Sequence, residues 1–346
     1  MTVFPFDAPD GAAVYLVLLI ATFAAHVALI GFVLGGAAWV LGRHLRGGDD
    51  PIAALGRDWL PFALGVAITF GVAPLLFIQV LYQPRLYTAT LLLSHRMMAI
   101  VPVLVVGFYL LYAGKTARVL AWPRARRAAL AAAALACFVF VAWTWVEAHV
   151  LATAWDRRVW VDHYGDGRWL HRDPVIARRL ALWLGLAATS FAAGAGLIAR
   201  ARATATDRRR LGVVGLGGVA AVAAAALWMY GAGGAVERAR MVAPAAQPWL
   251  YVAAGAAVVA LAGFAQLGAG RARGLAAAVA GTAGLIVGVA VLREASRVDG
   301  LGLQPTARDA QGLPLFVLFL VGGAVAIALC VRVVRRHLAA RDPAPT

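Results

Sequence analysis

Six side chains in this sequence combine reactive chemistry with an apolar setting: His26, Gln79, His95, Arg96, Glu147 and His149. Polar groups inside a long oily run are costly, and those that persist there usually bind, relay protons or neutralise one another. At 1.5 Å per helical residue, His95 and His149 lie roughly 12 and 9 Å below the outer ends of their helices, at matching levels. Two imidazoles so placed on neighbouring helices could hold a b-type haem between them. Arg96 and Glu147 lie at roughly 13 and 12 Å by the same rise, ready to form a buried ion pair. The two arrangements compete, because Glu147 and His149 point about 200° apart around one helix and cannot both face the preceding one. The ion pair is the expected arrangement, since an unpaired carboxylate in lipid is far more costly than an unliganded imidazole. His149 then faces another helix, with the first as a candidate.

His26 lies about 21 Å along the first helix. It reads as a neutral imidazole bonded to a neighbouring backbone or hydroxyl group, with haem ligation or proton relay as the alternative. Three histidines at depth allow at most one bis-histidine haem. Glu147 is the only acidic residue expected inside a span. Cys137 and Cys330 form neither a CxxC pair nor a CxxCH site, which excludes covalent haem attachment, and no metal site is expected.

The elements that must position these groups follow from composition. Of 346 residues, 62% are hydrophobic and 14% charged, too few polar residues to cover a water-soluble globule of this size. A helix needs about 20 apolar residues to cross a bilayer core. Nine runs approach that length, at 12–42, 60–82, 87–113, 128–155, 175–199, 211–230, 248–268, 274–292 and 313–331. The expected fold is therefore all-α: one polytopic transmembrane bundle spanning 1–346, embedded in membrane lipid. Helix is preferred to strand because it satisfies every backbone group within one segment.

The greater share of the 32 Lys and Arg falls on the side of the C-terminus, with belts at 115–127, 200–210 and 332–341. By the positive-inside rule that side is cytoplasmic and the acidic N-terminus, with Asp7 and Asp10, is outside, in a bacterial inner membrane. The net charge of +16 is accounted for by anionic lipid, so nucleic acid is not required as a partner. The connection 156–174 and its flanks carry Trp155, Trp160, Tyr164 and Trp169 among charges, with His163 and His171, and read as an aromatic cap on the outer face. The outer loop assigned to 293–312 contains no catalytic motif.

In the second helix Pro74 removes a backbone donor and predicts a kink near the centre, with Gly71 and Gln79 beside it. The polar, aromatic turn at 81–87 that follows reads either as a tight hairpin or as the mouth of a quinone pocket. Gly31 with Gly35 and Gly284 with Gly288 have the GxxxG spacing that lets helices approach closely. No internal repeat of the secondary-transporter type is evident.

The segment Gly71-Val72-Ala73-Pro74-Leu75-Leu76-Phe77-Ile78-Gln79-Val80-Leu81-Tyr82, followed by Tyr87-Thr88 and by Phe108-Tyr109-Leu110-Leu111-Tyr112, resembles a family of multi-pass proteobacterial inner-membrane proteins. Some members of that family carry or neighbour c-type cytochromes. The resemblance covers the second and third helices and implies participation in membrane electron transfer. Without a CxxCH here, a cytochrome partner would be a separate chain.

The leading expectation is a membrane-anchoring or quinone-contacting subunit of a respiratory or electron-transfer assembly, docking a periplasmic redox partner such as a cytochrome. The alternative is a transporter or channel with Glu147 at its site. A lipid-processing enzyme ranks below both, because no DDxxD, HxxxD or HExxH pattern stands at a helix end.

Overall fold

The computed structural model describes residues 10–47, 50–154, 158–166 and 173–301, with single positions between 318 and 333. All regular structure among them is helical. In chain order the helices are α1 (Asp10–Arg46), α2 (Pro51–Ala113), α3 (Ala117–Leu120), α4 (Arg124–Ala152), α5 (Arg158–Asp166), α6 (Pro174–Ile198), α7 (Ala205–Ala232), α8 (Ala235–Met241), α9 (Gln247–Gly268) and α10 (Gly274–Leu301). Seven of these, α1, α2, α4, α6, α7, α9 and α10, are long and apolar enough to cross a membrane. The chain thus has the architecture of a multi-pass helical membrane protein. Most of predicted helix 313–331, together with Trp155, Trp169, His171, Cys330 and His337, lies outside the described residues.

Helix α2 has 63 residues, which as a straight rod would extend roughly 95 Å, about three bilayer cores. It folds back instead: Lys115 Nζ, just past its end, donates to the Asp58 carbonyl near its start at 2.9 Å. Backbone angles leave the helical region at Tyr82 (φ −137°, ψ 30°) and Ser94 (φ 24°, ψ −93°). Tyr82 lies in the turn expected at 81–87, so the predicted spans 60–82 and 87–113 are two arms of one hairpin. The second arm runs antiparallel to α4, with Gly107 against Phe138, Arg96 against Glu147 and Arg85 bonded to the Ala154 carbonyl. Pro74, where a kink is expected, keeps helical backbone angles. It is buried within a helical stretch, and the departures occur at Tyr82 and Ser94.

Around this hairpin α1 packs against α2, α4, α6 and α10, while α6, α7, α9 and α10 form a second contiguous layer. Small residues set the spacing. Gly31 and Gly35 lie against Ser190 and Ala187 of α6, and Gly284 and Gly288 against Ala256 and Ala253 of α9. Both GxxxG pairs therefore serve packing inside the bundle. The outward surface carries large apolar side chains, among them Leu91, Met98 and Tyr109, as expected of a surface solvated by lipid.

Two ends of the bundle are chemically distinct. The N-terminal face holds the start of α1, the Tyr82 turn, the end of α4, α5, the start of α6 and the end of α10. The opposite face holds the basic segments 43–57, 115–127 and 200–210. There Thr204 caps α7: its hydroxyl accepts from Asp207 N at 3.1 Å, and the Asp207 carboxylate accepts from Thr204 N at 3.0 Å. Reciprocal capping of this kind holds the helix start in place. Thr204→Ala is expected to cost about 1 kcal/mol, read as a small loss of thermal stability in detergent micelles; a loss several times larger would mean that the hydroxyl does more than cap α7.

Candidate functional site

The charged layer near the N-terminal face is built largely by a helix that extends further than hydropathy indicated. The span expected at 274–292 continues as α10 to Leu301, because Ala290, Val291 and Ala295 keep burying one face against α1. Arg293, Glu294 and Arg297, assigned from sequence to an external loop, are consequently inside the bundle. Glu294 is 0% exposed and Arg297 5%. Glu147 is therefore not the only acidic residue within a candidate span, since Glu294 shares that setting.

Glu294 is held from both sides of its own helix. Arg297 Nη1 lies 3.1 Å from Oε2 and Arg293 Nη1 3.4 Å from Oε1. The Arg293 guanidinium also sits 3.9 Å above the ring of Phe23, and that of Arg297 5.1 Å from the ring of Tyr82 at the α2 turn. Arg297 Nη2 reaches across to α4 and donates to His149 Nδ1. A guanidinium only donates, so His149 Nδ1 is unprotonated and the imidazole is the neutral Nε2–H tautomer. The backbones of α4 and α10 make little contact of their own, so this side-chain bond bridges a seam between the two helices.

A second pair lies alongside on α2 and α4. Arg96 Nη1 is 2.6 Å from Glu147 Oε2, with both residues nearly inaccessible. The Trp143 indole N–H donates to the same carboxylate oxygen at 3.1 Å, and Arg96 Nη2 approaches Thr144 Oγ1 at 3.5 Å. These charge-assisted bonds offset part of the cost of removing both ions from water. On α6, Arg178 is also buried, and its Nε and Nη1 make no hydrogen bond.

The remaining sequence candidates separate. The structure brings Arg96 and Glu147 together but leaves His95 apart from His149. His95 is exposed on the outward side of α2, its ring 3.4 Å from Ser94 Oγ. His149 faces α10, not the first helix. As placed, the two imidazoles do not face one iron. Moreover, a ligating imidazole ordinarily donates its second N–H, whereas here the second nitrogen accepts from Arg297. This pair does not fit a bis-histidine haem. His26 bonds the Ala67 carbonyl through Nδ1 at 2.8 Å, and its ring lies over Gly71, where a Cβ would meet it at 2.8 Å. Gly71 thus permits close approach of α1 to α2. Pro74 and Gln79 belong to the first arm of α2, and neither is bonded to the charged layer.

At the rim, Trp160 of α5 donates its indole N–H to the Leu151 carbonyl at 2.9 Å, under the Arg85 guanidinium at 5.8 Å. Val161 and Tyr164 of the same helix are exposed. Within the predicted cap 156–174, then, the described helix is tied to the bundle through Trp160 and leaves Val161 and Tyr164 exposed.

No protein-family model matches the chain, and none of the curated proteins is detectably similar to it. Fold and site together define a class: a polytopic helical bundle with buried ion pairs on two sides of α4 and a neutral histidine beneath one face.

Proposed function

We propose that this chain is a membrane-integral subunit of a bacterial respiratory or electron-transfer assembly, and that the layer around Arg297 receives the headgroup of a quinone. The observation carrying this reading is the set of donors at the α4–α10 seam. The Arg297 guanidinium, the His149 Nε2–H and the Tyr82 hydroxyl can each donate to a quinone carbonyl, while buried Glu294 holds the Arg293 and Arg297 guanidinium groups in place. Aromatic and aliphatic side chains around the layer suit the ring and its isoprenoid tail. The resemblance of segment 71–82 and its neighbours to a cytochrome-associated family supports the same class.

In this reading the chain crosses the inner membrane nine times: two crossings by the α2 hairpin, six by the other long helices and one by 313–331. The N-terminal face is periplasmic, because the basic belts occupy the other end. The exposed Val161 and Tyr164 of α5 then meet a periplasmic redox partner.

Purified wild-type protein is expected to retain quinone on solvent extraction. Arg297→Ala, which removes a charged donor, is expected to retain at least about tenfold less. Absence of quinone from the wild type, together with no uptake of added ubiquinone or menaquinone, would overturn the proposal. The second reading, an ion-coupled transporter, rests on two fully buried carboxylates in one layer. Under it, Glu147→Gln or Glu294→Gln abolishes uptake in proteoliposomes while quinone content stays at zero.

A further inference from the structure

The opposite face carries a cavity unrelated to the charged layer. It has a volume of about 430 Å³ and lies where α1 ends, α2 begins and α4 begins. Arg43, Arg57, Arg124 and Arg127 line it, with Asp50 as the one acidic side chain among its lining residues. Asp50 is already engaged. Its Oδ1 caps α2 by accepting from Ile52 N at 2.9 Å, and its Oδ2 is 2.8 Å from Arg43 Nε and 3.8 Å from Arg210 Nη1. Arg124 is partly spent on the Leu45 carbonyl at 3.4 Å. Arg57 and Arg127 have no carboxylate partner among the described residues, and the Nε of each is buried without a hydrogen bond.

A surplus of guanidinium groups around a concave space favours a tetrahedral or planar anion, and Arg binds phosphate oxygens well. The cavity adjoins a small apolar cleft of about 30 Å³. Arg57, His44 and Arg127 line both spaces, and beyond them the cleft is walled by Val40, Leu60, Leu111, Leu130 and Ala134. Charge at the level of the helix ends, where the headgroups of the surrounding lipid lie, matches one kind of molecule: a phosphate ester carrying acyl chains.

We propose that this cavity binds the phosphate headgroup of an anionic phospholipid, with Arg57 and Arg127 as the principal phosphate donors and the acyl chains remaining in the surrounding bilayer. A free phosphate shares the headgroup chemistry but lacks the acyl chains that hold a lipid at the level of the helix ends. Basic pockets between helix ends are a recurrent site for such headgroups.

The test is a titration of the purified full-length protein, in neutral detergent, with cardiolipin, phosphatidylglycerol or phosphatidylcholine, read by native mass spectrometry. The wild type is expected to prefer the two anionic lipids. At about fivefold per arginine, Arg57→Ala with Arg127→Ala should weaken that binding roughly 25-fold. Arg57→Lys with Arg127→Lys should keep most of it. Arg118→Ala with Arg126→Ala removes the same charge from exposed positions outside the cavity and should leave the preference intact. Wild-type protein that takes phosphatidylcholine equally well refutes the proposal without any variant. Equal losses in the cavity and surface pairs, or full displacement of lipid by millimolar inorganic phosphate, would likewise overturn it.

Discussion

Glu147→Ala is expected to destabilise the bundle by about 3–5 kcal/mol, the usual consequence of leaving one member of a buried pair without its partner. Arg96, 2% exposed, would keep its charge between α2 and α4 without the carboxylate that lies 2.6 Å from it. Trp143 would also lose its acceptor. The measurement is equilibrium unfolding in mixed micelles. Replacing both ions with apolar residues of similar volume, Arg96→Met with Glu147→Leu, should recover most of that loss, because well-packed hydrophobes often substitute for a buried pair at little cost. A single variant as stable as the wild type would mean that Arg96 has another way to satisfy its charge.

The second large effect is steric. Gly263 on α9 packs directly on the Ala278 backbone amide of α10, with no space for even a Cβ. Gly263→Leu must separate two backbones rather than turn a side chain, which places it at the upper end of the overpacking range, about 3 kcal/mol. Gly255→Leu, on the exposed side of the same helix with nothing within 4 Å, is the control and should change stability by less than about 0.5 kcal/mol. Because α10 carries Arg293, Glu294 and Arg297, the Gly263 variant is also expected to lose quinone. Comparable stability of the two variants would show that α9 and α10 do not meet along this line.

What the sequence made legible was long-range order in hydropathy. Runs of about twenty apolar residues marked every long helix among the described residues, and the Tyr82 turn was marked by Gln83 and Pro84 interrupting such a run. The Arg96 and Glu147 levels followed from helical rise alone. Hydropathy failed where polarity and burial part company. Arg293, Glu294 and Arg297 ended the apolar window and so read as loop, although Val291, Ala295 and Val298 continued a helical stripe of small apolar residues on one face. That stripe was the available signal for a helix running on with its charges turned inward. Pro74 itself keeps helical backbone angles, and the departures from them lie further along the chain at Tyr82 and Ser94. The His149–Arg297 bond joins positions 148 residues apart, and no local pattern could have paired them.

The central claim is that a quinone headgroup sits in the α4–α10 seam beneath the N-terminal face. Photolabelling the purified protein with an azido-quinone and mapping the modified peptides tests it most directly. The account predicts label on residues 143–152 of α4 and 293–301 of α10, competed away by unlabelled quinone and greatly reduced in Arg297→Ala. Label confined to the lipid-facing side of α2 around His95, or no competable label in those two segments, would contradict it.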